Sequence, residues 1–414
     1  MQSKVPNQDR YHDIEAIFLV SIAHASSHFY HLVIPSLFPW IMPAFGMDFV
    51  NAGFLMTVFF VASAFGQSAS GFFVDKVGPK SGMYGGLLLL IASSLVLALA
   101  TNYFMLLLAA ILAGLGNSVF HPVDYSLMNY NIGPKYLGHA FAWHNVTGNI
   151  GWAICPLFMV TLASFFGWRI AAFSAMNVAV IVLIIEYVRR SVFTFDQTND
   201  QELQQTKQKG SSFNFLKETA VWLCFLFFMT TSMAFSVLQS YSPTIFKNTY
   251  DLDLTSASSA LTAYLIGAGG GALVGGFLTN LKKISTDKVV GLSLAFAALM
   301  ALFLALQICS GLWVIPIMAV MGFGVGLAAP SRDIMIRRST VNRLGMSSLG
   351  RVYGFVYCGM DVGQSISPLI FGYFLDRGQF TITLIGIAIC QIFAVITALK
   401  VGNPRDKKLD ENPT

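Results

Sequence analysis

The sequence predicts an all-α membrane protein of twelve transmembrane helices, arranged as two pseudo-symmetric six-helix bundles. Three observations predict it. Of the 414 residues, 55% are hydrophobic and only 11% are charged, whereas a soluble domain carries about 25% charged residues. Twelve apolar runs along the chain approach or exceed the ~20 residues that a helix needs to cross a bilayer. The first six runs share a pattern of Gly and Pro with the last six.

The runs fall at about 14–42, 51–74, 82–100, 103–127, 138–164 and 170–188, then at about 221–246, 257–281, 289–309, 312–333, 352–375 and 382–399. They are numbered spans 1 to 12. The expected domains are a cytoplasmic tail (1–13), a bundle (14–188), a cytoplasmic linker (189–218), a second bundle (219–400) and a cytoplasmic tail (401–414). The linker contains TFDQTNDQELQQTKQKGSS, a composition that does not support a packed core. The first run is longer than the apolar region of a signal peptide and no small-residue cleavage pattern follows it, so it reads as a span.

Basic residues test this map. With both termini cytoplasmic, the outer loops hold only Arg169, Lys247 and Arg377 among the 25 Lys and Arg. That is the positive-inside bias, and an odd number of spans would scramble it. A bacterial inner membrane is the expected location, with the lipid bilayer as surroundings and a monomer as the expected state. The net charge of +5 is dispersed over short loops, which argues against a nucleic-acid partner. Cys155, Cys224, Cys309, Cys358 and Cys390 all lie within apolar runs, without metal or disulfide spacing.

The halves repeat each other. Gly114, Gly116 and Pro122 of span 4 match Gly322, Gly324 and Pro330 of span 10 at identical spacing. Gly138, Gly151 and Pro156 of span 5 match Gly350, Gly363 and Pro368 of span 11. Pro35 and Phe38 match Pro243 and Phe246. Two parallel halves with a site between them describe an alternating-access carrier.

The segment GFFVDKVGPKSG, Gly71 to Gly82, resembles the loop signature of the major facilitator superfamily, G-x-x-x-D-[RK]-x-G-x-[RK]. Gly71, Asp75, Lys76, Gly78 and Lys80 fill its fixed positions, and the span map extends the resemblance over nearly the whole chain. Within the superfamily, SHFYHLVIPSLFPWI and GLGNSVFHP resemble the fosmidomycin-resistance-like branch, with Tyr30-His31 where that branch has Asn-Asp. The span 4 arginine of proton-coupled members falls at Ala110, and the antiporter motif of span 5 is present in part, as Gly151 and Cys155-Pro156. The resemblance implies that Asp75, with Lys76 beside it, meets the cytoplasmic start of span 11, where Arg351 stands, as part of a gate.

Polar groups inside a membrane helix are costly, so each is a candidate site. His24, His28 and His31 are spaced i, i+4, i+7 and share one face of a helix. Their repeat counterparts are Ser232, Ser236 and Gln239. His121 and His144 add imidazoles in the same half. The expected substrate-binding set is His24, His28, His31, His121, His144, Asn149, Ser236 and Gln239; the alternative is that some only hydrogen-bond neighbouring helices. A helical His pair can also bind zinc, but no Cys or carboxylate is placed beside this one, so neither a metal nor a cofactor is expected. Asp361, the repeat counterpart of Asn149, sits well inside span 11. It is the expected proton-coupling group, the alternative being a structural hydrogen bond. Asp124 and Arg332 lie two residues after Pro122 and Pro330, and an ion pair between them is expected to close the cytoplasmic end, the alternative being that each faces solvent separately. Glu15 and Glu186 lie near span ends and read as interfacial. Gly267, Gly271 and Gly275 form a small-residue stripe suited to close helix packing.

These features favour secondary transport of a small solute, an organic anion or polar carboxylate-bearing metabolite, linked to protons or another coupling ion. Drug or antibiotic efflux by proton antiport is the alternative. No phosphate-binding loop of a primary pump is present, and neither H-E-x-x-H nor G-x-S-x-G, so an enzyme is not expected. A non-transporting membrane sensor or scaffold is the rival of a different class.

Overall fold

The computed structural model describes residues 10–193, 216–279, 285–344 and 349–401. Among them the helices are α1 (Arg10–Ser36), α2 (Phe38–Phe45), α3 (Phe49–Val77), α4 (Pro79–Ala98), α5 (Tyr103–Ser118), α6 (Phe120–Asn131), α7 (Pro134–Phe166) and α8 (Trp168–Val188), followed by α9 (Thr219–Tyr250), α10 (Leu254–Thr279), α11 (Thr286–Ala305), α12 (Val314–Leu344), α13 (Leu349–Leu375) and α14 (Phe380–Val401). No strand occurs among the described residues. Eleven of the described segments are long and apolar enough to cross a membrane. The remaining expected run, 352–375, falls within α13.

Among the described residues two of the runs are interrupted, and proline lies beside each interruption. Span 4 divides at Val119 into α5 and α6. Pro122 has no N–H to give the carbonyl of Ser118, and its ring crowds that carbonyl. Span 1 divides at Leu37 into α1 and α2. Pro39 likewise has no N–H for Pro35, and the chain restarts with Trp40 and Ile41 donating to the Leu37 carbonyl, each at 3.0 Å.

The described residues fall into two compact units, one within Met1–Ile41 and Val58–Ser211, the other within Met42–Thr57 and Ser212–Thr414. In the first unit α1 packs along α7, and α4 packs on α5 and α8. Tyr30 ties three of these helices together: its hydroxyl donates to the Ala175 carbonyl at 2.9 Å and accepts from Ser94 Oγ at 2.9 Å.

In the second unit α9 packs along α13, and α11 packs on α12 and α14. These pairings are the repeat equivalents of those in the first unit. A core that includes Phe227, Phe228, Leu294 and Val356 fills the space between them. Helix α10 lies against α12 through glycines on both sides. A Cβ on Gly267, Gly271 or Gly275 would meet the carbonyl of Ala319, Phe323 or Leu327, and one on Gly322 or Gly326 would meet that of Tyr264 or Ala268. The stripe read in the sequence is therefore matched by a second on its partner. The segment 42–57 is held in this unit by Asp376, whose carboxylate accepts from the backbone N–H of Phe49 at 2.5 Å and of Val50 at 3.1 Å. It is held also by Tyr241, whose hydroxyl lies 2.9 Å from the carbonyls of both Phe49 and Pro368.

Candidate functional site

The first unit gathers five imidazoles from three helices. Helix α1 supplies His24, His28 and His31, which are 2%, 8% and 9% exposed. Their spacing stacks them on one face, as the sequence indicates. Helix α7 runs along that face and contributes His144. It approaches closely because Gly151 lies on the Ala25 carbonyl and Gly148 lies against the rings of His24 and His28. Helix α6, beginning just after the Val119 break, supplies His121 and Asp124.

Asp124 is the hub. Its side chain is fully buried, and its Oδ2 lies 3.1 Å from His24 Nδ1 and 3.1 Å from His144 Nε2. Burying a carboxylate costs several kcal/mol unless donors surround it, and these two rings are the donors. The His24 and His144 rings stack with centroids 3.5 Å apart, and His121 stands 5.2 Å from His24. His28 lies 4.3 Å from His24 and 4.2 Å from Trp152. Neither of its buried nitrogens has a hydrogen-bond partner.

A second network adjoins the first. His31 Nε2 lies 2.8 Å from Asn117 Oδ1, Ser27 Oγ donates to the same oxygen at 2.6 Å, and Asn117 Nδ2 donates to Ser63 Oγ at 2.8 Å. One amide thus joins α1, α3 and α5 inside the unit.

Several expectations are redrawn. Asp124, expected to pair with Arg332, takes both of its hydrogen bonds from histidines of its own unit. Arg332 lies over the Phe228 ring, 4.7 Å from its centroid. A carboxylate does stand beside the helical histidines after all. It arrives from a helix 100 residues away, which spacing along one helix does not reveal. Glu186, expected at the interface, is completely buried, with neither carboxylate oxygen hydrogen-bonded. Glu15 pairs with Arg189. In the second unit Ser236 donates to the Gln364 carbonyl at 3.2 Å, and Gln239 is buried with its Nε2 unpartnered. Asn149 and Asp361 are half-buried. The side chains of Asp75, Lys76 and Arg351 lie outside the described residues.

Sequence reasoning missed Asn117. The rule that flagged the histidines, a polar side chain inside an apolar run, applies equally to an amide four residues before His121.

A family model described as Major Facilitator Superfamily matches residues 18–348. The chain belongs to the Major Facilitator Superfamily. As a member of that superfamily it is a multi-pass membrane protein of a transporter family. It is 23% identical over 355 residues to the fosmidomycin resistance protein of Escherichia coli K12, covering 85% of both chains. It is 21% identical over 350 residues to a probable L-galactonate transporter of the same organism, covering 80% of this chain and 76% of that one. The crystal structure of the nucleoside transporter NupG superposes with a TM-score of 0.74 at 13% identity, covering 94% of this chain and 98% of that one. That likeness extends the superfamily fold over nearly the whole chain.

Proposed function

We propose that this superfamily member is a proton-linked secondary active transporter. It moves a small polar solute, an organic anion or carboxylate-bearing metabolite, across the bacterial inner membrane by alternating access, with both termini cytoplasmic. The observation that carries this reading is the polar interior of the first unit, above all His28, buried with both ring nitrogens unpartnered. A membrane bundle that needed only to pack would not retain such a group, because each orphaned buried polar atom costs about 1–3 kcal/mol. A bound polar solute supplies the missing partner. Asp361 is the proposed coupling group, with Asp75, Lys76 and Arg351 at the cytoplasmic gate.

The test is reconstitution of the purified protein in proteoliposomes with an imposed pH gradient, challenged with a panel of labelled organic anions. Uptake of one class that a protonophore abolishes supports the reading. Saturable binding without flux would make the protein a sensor. A second reading, drug export, is favoured by the similarity to the fosmidomycin resistance protein along 85% of the chain. Expression in a sensitive strain would then raise the inhibitory concentration of fosmidomycin, and an unchanged value dismisses it for that drug.

A further inference from the structure

We propose that His24, His121 and His144 form a binding site for one divalent transition-metal ion, Zn²⁺, Ni²⁺ or Co²⁺, with Asp124 orienting two of the three ligands. The proposal goes beyond transport and does not depend on it.

Two features of the site support it. One nitrogen from each of the three rings lies within 4.8 Å of the other two. A metal–nitrogen bond of about 2.0–2.1 Å sets neighbouring ligands of a tetrahedral site about 3.4 Å apart, so closing the set requires the nitrogens to draw together and the stacked His24 and His144 rings to turn out of parallel. Second, Asp124 Oδ2 contacts both His24 Nδ1 and His144 Nε2. An ionised carboxylate only accepts, which places the protons on those two nitrogens and leaves lone pairs on His24 Nε2 and His144 Nδ1. A carboxylate behind a ligating imidazole is the arrangement that fixes tautomer and ring direction in metal sites. His144 Nδ1, the lone-pair atom so derived, is buried without a partner. Gly148 brings the α7 backbone close to the corresponding atom of His24: a Cβ there would lie 2.9 Å from Nε2.

The donor set defines the ion. Imidazole nitrogens suit zinc, nickel and cobalt, whereas magnesium and calcium demand oxygens. The single negative charge of Asp124 offsets half the charge of a divalent ion, and the ion in turn compensates a carboxylate otherwise buried against neutral rings. Three nitrogens leave one tetrahedral position for another donor.

The experiment uses the full chain in detergent, with any affinity tag removed, stripped with a chelator and then desalted. Co²⁺ is titrated in while its visible absorption is followed, and Zn²⁺ is titrated by calorimetry. One equivalent of each is expected to bind, with Zn²⁺ displacing Co²⁺. His121→Gln and His144→Gln should each weaken binding at least tenfold, Asp124→Asn about 10- to 100-fold, and Gly148→Ala measurably, while His139→Gln, at an exposed position, changes nothing. Absence of saturable binding overturns the proposal. So does equal affinity in His121→Gln and the parent, which would mean adventitious binding at surface histidines. Should His144→Gln fail to fold by gel filtration, half-buried His121 decides the matter. No transport step enters the measurement, so its failure and that of the transport reading are separable.

Discussion

His28 and His31 share a helix face, yet they differ in what satisfies them. His31 has Asn117, whereas His28 has no hydrogen-bond partner. If a solute supplies the missing contacts, His28→Ala should weaken substrate binding about tenfold, the equivalent of about 1.4 kcal/mol, with membrane expression intact. Phe18→Leu, at a side chain 56% exposed on the same helix, should leave affinity unchanged. A binding isotherm for each variant checks this; equal affinity in both would make His28 a packing residue. Asn117→Ala belongs to a different category, because it strands Ser27, His31 and Ser63 at once. At about 1 kcal/mol for each orphaned group, it should lower the thermal midpoint in detergent well beyond the effect of His31→Ala. The histidine stripe was legible in the sequence because it is local, recurring within eight residues of one helix. Its partners were not, because Asn117 and Asp124 come from other helices, 86 to 100 residues further on. Glu186 was misplaced for a related reason: closeness to a helix end says nothing about which way a side chain faces.

At the scale of the helix, glycines serve two purposes on one segment. Gly267 sits on the Ala319 carbonyl, whereas a Cβ on Gly270, three residues along, would meet nothing within 4 Å. Gly267→Leu should therefore cost about 2–3 kcal/mol through overpacking. Gly270→Ala should be neutral or stabilise by up to about 1 kcal/mol through helix propensity. Thermal unfolding of the two variants distinguishes them, and similar losses in both would refute the packing account. The stripe Gly267, Gly271, Gly275 was readable from its spacing. Its counterpart on α12 was not, because Gly322 and Gly326 matter only once that helix is laid alongside. Prolines were legible as punctuation but not in their effect. Pro122 and Pro330 hold equivalent repeat positions, yet span 4 divides near the first while α12 runs through the second.

Across the molecule, the two halves share a skeleton and divide the chemistry. The pairings α1 with α7 and α9 with α13 correspond, and this was legible in the matched Gly and Pro of the sequence. The imidazoles all belong to the first half, whereas Asp361 stands in the second. A lone ionised carboxylate within a membrane bundle is costly, so its proton should enter the cycle. Asp361→Asn is expected to retain counterflow exchange in proteoliposomes while accumulation driven by a pH gradient fails. Accumulation that persists would move the coupling role to the histidine cluster. The glycine crossing of α10 and α12 bears on how such a cycle moves. Because backbone meets backbone at successive turns from both sides, sliding one helix along the other carries the side chains that flank the glycines toward those carbonyls. The pair therefore behaves as a stiff strut with little axial play. A covalent tether between its two members should leave turnover untouched, and whatever bends during transport must bend elsewhere.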